Sequence, residues 1–241
     1  FCGGTAVPQY KYLSAVRLME AAQNEQRGES IMAYTFRGGI HPGTKNDPGF
    51  KAATNKKPIE VLKAPDKVIL PVSMHIGAPA KPLVKKGDIV NMGQMIAEAG
   101  GFVSAPVHAS VSGKVVDVVP MLHQNGSKVL SIVIENDHED RLDESVKPKD
   151  FEAMSNDERI QAIWDAGIVG HGGATFPTHV KIKSGIGKCD TILINGAECE
   201  PYITSDHRLL LERPEEIVEG VRYLVKIMGV KKAYIGIELN K

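Results

Sequence analysis

The chain has 241 residues and carries 29 basic and 29 acidic side chains, so its formal net charge is zero. That length suffices for two domains with apolar cores, and the balanced charge gives no long-range attraction to nucleic acid. The three cysteines lack CxxC spacing and no apolar run approaches the roughly 20 residues of a membrane-spanning helix, which argues against a disulfide framework, an internal metal site and an integral membrane protein.

Residues 1–31 form a leader whose role the sequence leaves open. Residues 12–26 have helical spacing, with an apolar face that comprises Leu13, Val16, Met19 and Ala22. We interpret the leader as lying outside the working domains, with Met32 near a natural start. A partner-binding helix is the alternative. Residues 32–66 then make up an N-terminal segment.

Residues 67–136 read as short strands separated by glycine-containing turns. The β-branched runs lie at residues 68–71, 95–98, 114–119 and 129–134. The motif GDIVNMGQ at residues 87–94, followed by Ala105-Pro106 and by SGKV at residues 112–115, resembles biotinyl and lipoyl carrier domains. This resemblance implies a flattened barrel-sandwich domain.

The hairpin that bears the modified lysine in those carriers corresponds here to residues 100–103, which contain no lysine. A carrier without its attachment residue cannot swing a cofactor, so we favour a structural role for this domain over a carrier role. His75 and His108 have no second ligand at metal-binding spacing, and each is interpreted as a hydrogen-bonded loop residue.

A polar linker at residues 137–150 precedes a helix–strand alternation in residues 151–241. The capping-box sequence SNDE at residues 155–158 predicts a helix that runs through Trp164. Residues 191–194 suit a buried parallel strand. Pro214 starts a second helix that Gly229 ends, and residues 232–237 form the next strand. This strand–helix–strand order predicts a Rossmann-like α/β domain.

Two motifs in this second domain carry chemistry. The first is GHGGATFPTHVK at residues 170–181. Its glycines let backbone amides approach a phosphate or a flat ring, and Lys181 or Lys183 adds positive charge. A purely structural turn is the alternative, and the stretch is not the dinucleotide fingerprint because no strand directly precedes it.

The second motif, NGAECEP at residues 195–201, follows the predicted strand at the edge where open α/β sheets bind ligands. Asn195 can donate to a flavin heteroatom, and Glu198 and Glu200 can accept the two hydrogen bonds of a ribose diol. The alternative is a solvated turn whose carboxylates cap another element. Cys199 has no basic neighbour in sequence and is interpreted as an inert residue with a packing role.

With these motifs in order, the chain resembles the FMN- and NADH-binding subunit of respiratory complex I and, more closely, the C-subunit family of Rnf electron transport complexes. The motif FRGGIHP at residues 36–42, the lysine-free carrier-like segment and YITSD at residues 202–206 support the second resemblance. The likeness runs from about Met32 to the end and excludes residues 1–31.

The resemblance implies an electron-input module of an ion-translocating ferredoxin:NAD oxidoreductase, which exchanges hydride with NAD(H) through FMN. Gly170, Gly172, Gly173, Lys181 and Asn195 would then cradle FMN. Phe176, Glu198 and Glu200 would contact the nicotinamide nucleotide or line its access. His171 and Ala197 depart from complex I, which has an arginine and an acid at those positions.

The resemblance also implies partners: the other subunits of a bacterial membrane complex, with this protein peripheral on the cytoplasmic face. Because the family continues past Lys241, we expect the chain to be an N-terminal portion that is inactive alone. The 4Fe-4S clusters would lie in the remaining part. A non-catalytic docking or scaffold piece is the alternative.

Overall fold

The computed structural model describes residues 43–44, 46–171 and 173–238. Three sequence predictions therefore lie outside the described residues: the helix at residues 12–26, the motif at residues 36–42, and Gly172.

The described residues contain eleven strands and four α-helices, and a single 3-10 turn at Lys51–Ala53 follows the second strand. The strands are β1 (Gly43–Thr44), β2 (Asp47–Pro48), β3 (Lys67–Pro71), β4 (Lys81–Pro82), β5 (Ile89–Val90), β6 (Met95–Glu98), β7 (Val107–His108), β8 (Gly113–Leu122), β9 (Lys128–Asn136), β10 (Thr191–Asn195) and β11 (Lys232–Gly236). The helices are α1 (Asn156–Asp165), α2 (Thr178–Gly185), α3 (Ser205–Glu212) and α4 (Pro214–Met228).

The chain divides into two compact units. One, called here the barrel unit, comprises Val61–Asp190 and Tyr223–Lys231. The other, called the parallel-strand unit, comprises the described residues up to Glu60, Thr191–Arg222 and those from Lys232. Helix α4 contributes its first part to the parallel-strand unit and its last part to the barrel unit.

Two antiparallel sheets form the first part of the barrel unit. One has the strand order β3-β9-β8-β5 and the other the order β4-β6-β7. Alternating β-branched side chains from both sheets fill a common core that includes Val90, Ile96, Val107, Val115 and Ile132. The four strands predicted from sequence are confirmed as β3, β6, β8 and β9, whereas the two-residue strands β4, β5 and β7 were not predicted.

The rest of the barrel unit is a small helical cluster. Helix α1 begins at a complete capping box, since Ser155 accepts from the Glu158 amide and Glu158 accepts from the Ser155 amide. Ile160 of α1, Ile182 of α2 and Ile227 of α4 form its buried core. The predicted helix from the capping box through Trp164 is confirmed.

The parallel-strand unit is built on β10 and β11, which pair in parallel from Thr191 opposite Lys232 to Asn195 opposite Gly236. Helices α3 and α4 connect the two strands in sequence. This confirms the predicted strand–helix–strand order, with α3 as an additional helix that was not predicted. The buried environment predicted for residues 191–194 is wrong, since no residue of β10 is buried and Leu193 is 78% exposed.

Candidate functional site

The glycine-rich stretch forms a narrow loop in the barrel unit. Its two sides meet at an antiparallel bridge between Val169 and Pro177. The Gly170 amide donates to the Phe176 carbonyl at 2.9 Å, and the Thr178 amide donates to the Ile168 carbonyl at 3.1 Å. The tip of the loop therefore lies between Gly170 and Phe176, and α2 begins immediately after it.

The tip is fixed to a neighbouring barrel loop. The Ile76 amide donates to the Ala174 carbonyl at 3.1 Å, and Thr175 Oγ1 donates to the Met74 carbonyl at 2.8 Å. Thr175 has φ of 45°, a left-handed conformation that a β-branched residue rarely adopts. These two hydrogen bonds help to hold that conformation, so the loop has a defined shape.

The predicted FMN residues in this loop leave room for a ligand. A Cβ added at Gly173 would meet nothing within 4 Å. One added at Gly170 would lie 3.9 Å from Lys181 Nζ, which places the ammonium group beside the Gly170 backbone. Gly173 and Lys181 are exposed and Phe176 is half-buried. Accessible backbone with an adjacent cation is an arrangement that fits a phosphate group.

Aromatic side chains of α1 and α2 pack next to the glycine-rich loop. His179 in the first turn of α2 is fully buried, stacks on Trp164 with ring centroids 4.4 Å apart, and lies 3.0 Å through Nε2 from the Phe102 carbonyl. Burial lowers the pKa of His179 below its ordinary value, and the nearby Lys183 charge acts in the same direction. Trp164 Nε1 also donates to the Ser104 carbonyl at 3.1 Å.

This packing gives the lysine-free hairpin a structural role. Phe102 lies in the hairpin that would carry the modified lysine in a carrier domain, and Ser104 directly follows that hairpin. The Ser104 carbonyl accepts a hydrogen bond from Trp164 of α1, and the Phe102 carbonyl is within hydrogen-bonding distance of His179 of α2, all within the barrel unit. The structural interpretation of the hairpin is thus supported by specific contacts.

His75 and His108 also have local partners. His75 is bonded through its ring to the Ile76 and Ala105 backbones. Burial lowers the pKa of His108, partly opposed by Asp165. Among the residues that the structure describes, no group of three or more His, Cys, Asp or Glu side chains could hold a metal ion.

The second motif occupies the carboxyl end of the parallel strands. Asn195 is the last residue of β10, as predicted, and its Oδ1 accepts from the Ala197 amide at 3.1 Å. The Gly196 amide donates to the Gly236 carbonyl at 2.8 Å. A Cβ at Gly196 would come within 3.0 Å of that carbonyl and 3.3 Å of Leu210, so glycine is needed for close packing.

The two glutamates of this motif have different environments. Glu198 is 7% exposed, and its Oε1 accepts from Ser205 Oγ and from the Asp206 amide, both at 3.0 Å. It thereby caps α3, whose N-cap residue Thr204 makes no side-chain cap hydrogen bond. Glu200 is exposed. Glu198 therefore caps another element, which was the alternative to ligand binding for these carboxylates. Glu200, in contrast, is accessible to a ligand.

The structure brings Gly170, Gly173 and Phe176 together in one loop of the barrel unit, with Lys181 in the adjoining helix α2. In the parallel-strand unit, Glu198 and Glu200 lie in the loop that follows Asn195 at the end of β10. Sequence reasoning missed Lys51, whose Nζ donates to the Glu198 carbonyl. No local signal in the sequence connects residues so far apart in the chain.

Across the described ranges, no helix has the length and apolarity needed to cross a lipid bilayer. Cys189 and Cys199 are free and exposed thiols, so the packing role predicted for Cys199 is wrong.

Two family models match the chain. One, described as the RnfC barrel sandwich hybrid domain, matches residues 34–139. The other, described as the Nuo51 FMN-binding domain, matches residues 163–241. These matches confirm the predicted fold class, a barrel-sandwich domain followed by part of an α/β FMN-binding domain. The predicted boundaries at residues 67–136, 137–150 and 151–241 remain predictions.

Similar curated proteins carry consistent names. The chain is 50% identical over 209 residues to the C subunit of the Na(+)-translocating ferredoxin:NAD(+) oxidoreductase complex of Acetobacterium woodii, covering 86% of the chain. It is 47% identical over 212 residues, 87% of the chain, to the proton-translocating counterpart of Clostridium ljungdahlii. It is 42% identical over 215 residues, 88% of the chain, to the C subunit of the ion-translocating oxidoreductase complex of Rhodobacter capsulatus. The matched parts span 46%, 45% and 40% of these relatives, respectively.

Proposed function

The chain belongs to the C-subunit family of Rnf complexes and corresponds to the N-terminal portion of its members, and from this we propose that it is the electron-input part of a membrane-bound ferredoxin:NAD oxidoreductase. Its role would be to bind FMN and NAD(H) where hydride is exchanged. The observation that carries this proposal is the match of residues 163–241 to an FMN-binding domain, which includes an accessible glycine loop with an adjacent lysine.

The residues of the glycine loop suit the FMN phosphate. Backbone at Gly170, Gly172 and Gly173 would lie against the cofactor, and the Lys181 ammonium beside Gly170 would balance the phosphate charge. Asn195, at the end of β10, would hydrogen-bond the flavin ring. When bound, FMN supplies the chemistry that links a two-electron hydride exchange to single-electron transfer.

The remaining site residues suit the nicotinamide nucleotide. Glu200 is exposed and can accept both hydrogens of a ribose diol. Because Glu198 Oε1 already caps α3, we assign Glu198 chiefly the role of holding the loop in place. The half-buried Phe176 ring would line the access to the flavin and keep water from it.

The partners follow from the family. We propose that electrons leave toward 4Fe-4S clusters in the part of the family that this chain does not match. The other subunits of the complex would hold the protein peripherally on the cytoplasmic face of the bacterial membrane. NAD(H) is the proposed soluble substrate.

The experiment uses the full-length protein that contains this chain, reconstituted with FMN. We expect a flavin absorbance band after desalting, and oxidation of NADH with an artificial electron acceptor. Protein that retains no flavin and oxidises no NADH would overturn the proposal. That result would favour the alternative of a non-catalytic docking domain, which capture of other proteins of the complex by residues 32–150 would then support.

A further inference from the structure

A segment ahead of the barrel lies along the carboxylate loop of the parallel-strand unit. The Gly49 carbonyl accepts from the Tyr202 amide at 2.8 Å. Thr54 Oγ1 donates to the Tyr202 carbonyl at 2.8 Å, and the Phe50 ring stacks on the Tyr202 ring with centroids 5.4 Å apart. Tyr202 has φ of 66°, an unfavourable conformation for a tyrosine, and this segment engages both of its backbone polar groups.

Lys51 is the buried member of the segment. It is 7% exposed, its Nζ donates to the Glu198 carbonyl, and the same nitrogen lies 4.0 Å from Glu238 Oε2. Burying an ammonium group is costly unless it is hydrogen-bonded and near an opposite charge. Both conditions are met here, so the lysine is a specific part of the packing beneath the loop.

Glu198 is consequently held at two points. Lys51 fixes its carbonyl, while its carboxylate is fixed by Ser205 and Asp206 at the start of α3. Helix α3 is itself tied to the segment, because Arg208 Nη1 donates to the Asn55 carbonyl at 3.1 Å. At the end of α3, the Glu212 carboxylate accepts from the Ile59 amide at 3.1 Å. The exposed Glu200 lies only two residues beyond Glu198 on this restrained loop.

We propose that Lys51 is a positioning residue for the nicotinamide-nucleotide site, and that residues 49–59 are a structural part of that site. These residues lie outside the range matched by the FMN-binding domain and within the range matched by the barrel-sandwich domain. The proposal rests on the proposed function, since that function assigns Glu200, in the loop that Lys51 helps to hold, to the nucleotide. Lys51 acts through Glu198 and does not touch the nucleotide.

The test compares Lys51→Met, Lys51→Arg and a control at an exposed lysine outside residues 49–59, Lys63→Met, in the full-length protein loaded with FMN. Two quantities are measured: hydrogen exchange of the amides in residues 198–206, and kcat and KM for NADH with an artificial acceptor. For Lys51→Met we expect faster exchange in this range, including the Asp206 amide, and a KM raised about tenfold with kcat changed less than about twofold. Lys51→Arg should have a KM close to that of the wild type, and Lys63→Met should match the wild type in both quantities.

The outcomes separate the two proposals. If the wild type neither binds FMN nor oxidises NADH, the proposed function fails, whatever the exchange data show. If the wild type is active but Lys51→Met has an unchanged KM, or loses kcat and flavin together, the positioning role is wrong. If Lys51→Met does not fold, Thr54→Val replaces it. That variant keeps the lysine but removes the hydrogen bonds of the Thr54 hydroxyl to the Tyr202 and Lys51 carbonyls, so it should raise KM with little change in kcat, by a smaller factor than Lys51→Met.

Discussion

At the scale of single residues, Glu198 has a structural role that its sequence motif does not reveal. Its buried carboxylate accepts the Asp206 amide in the first turn of α3 and so caps this helix. The N-cap residue itself, Thr204, makes no side-chain cap hydrogen bond. We predict that Glu198→Ala lowers the free energy of unfolding by about 1–2 kcal/mol, as for the loss of a helix cap. Glu198→Gln keeps an acceptor but loses the charge at the helix N-terminus, so it should cost less, about 0.3–1 kcal/mol.

Urea denaturation of each variant measures these differences. The neighbouring exposed Glu200 provides a matched control, and Glu200→Gln should leave stability unchanged while it weakens NADH binding. Equal stability of Glu198→Ala and the wild type would contradict the capping role.

His179 gives a prediction about pH. Its imidazole is buried, and this burial lowers its pKa in the folded protein. As the pH falls below about 6.5, the ordinary value for histidine, the unfolded chain takes up a proton that the folded protein resists. The stability is therefore complete above that pH and is lost on acidification, by up to about 1.4 kcal/mol per pH unit for one proton.

His179→Phe keeps a ring to stack on Trp164 but removes the titrating group. We expect its unfolding free energy to depend less steeply on pH between about 6.5 and 5 than that of the wild type, measured by urea denaturation at each pH. Parallel pH profiles for the two proteins would show that His179 does not titrate differently on folding.

At the scale of elements, substitutions in the glycine loop should weaken FMN binding without lowering the stability of the fold. Cβ atoms at Gly170 and Gly173 would meet ordinary contacts or open space. Gly170→Ala and Gly173→Ala should therefore fold normally, with melting temperatures within about 2 °C of the wild type. If these glycines admit the FMN phosphate, each alanine should weaken FMN binding about tenfold or more, or about 1.4 kcal/mol per tenfold.

Fluorescence titration with FMN and thermal denaturation provide the two measurements. Gly77→Ala is the contrasting variant, because its Cβ would lie 2.1 Å from the Val103 carbonyl at φ of 104° and should destabilise the barrel. Unchanged FMN affinity in both loop variants would argue against phosphate binding at this loop.

Some helices and strands could be predicted from neighbouring residues in the sequence, and others could not. Helix α1 was predictable because its capping box lies within four consecutive residues, and β8 and β9 because both strands are rich in valine and isoleucine. Helix α3 was missed because its cap comes from Glu198, seven residues before Ser205 and outside any local signature. Helix α2 was missed because it follows a glycine-rich loop and its N-cap residue, Pro177, makes no side-chain cap hydrogen bond.

The residues of the candidate site also differ in whether the sequence alone could place them. Asn195 was placed correctly at the end of β10, because the short apolar run at residues 191–194 identifies a strand and Asn195 follows it directly. The contact between Lys51 and Glu198 joins residues 147 positions apart, and only tertiary packing brings them together. The assignment of each site residue to FMN or to the nucleotide remains a prediction.

At the scale of the whole molecule, neither compact unit is continuous in sequence. The barrel unit needs Tyr223–Lys231 from the end of α4, and the parallel-strand unit needs residues up to Glu60 from before the barrel. Each unit thus closes only after distant parts of the chain have met. We infer that a chain ending at Asp190 would lack the part of the barrel unit's core that Tyr223–Lys231 supply, including Ile227.

Ile227 makes this dependence testable. It is 1% exposed and packs with Ile160 and Ile182, whereas the barrel core is a separate cluster. We predict that Ile227→Ala lowers the free energy of unfolding by about 2–4 kcal/mol, the usual cost of such a cavity. Hydrogen exchange should accelerate more in α1 and α2 than in β8 and β9, because the lost contacts belong to the helical cluster. Ile186→Ala, at a 39% exposed position in the same unit, should cost less than about 1 kcal/mol. Equal acceleration throughout the barrel unit would instead mean that its two cores unfold as one.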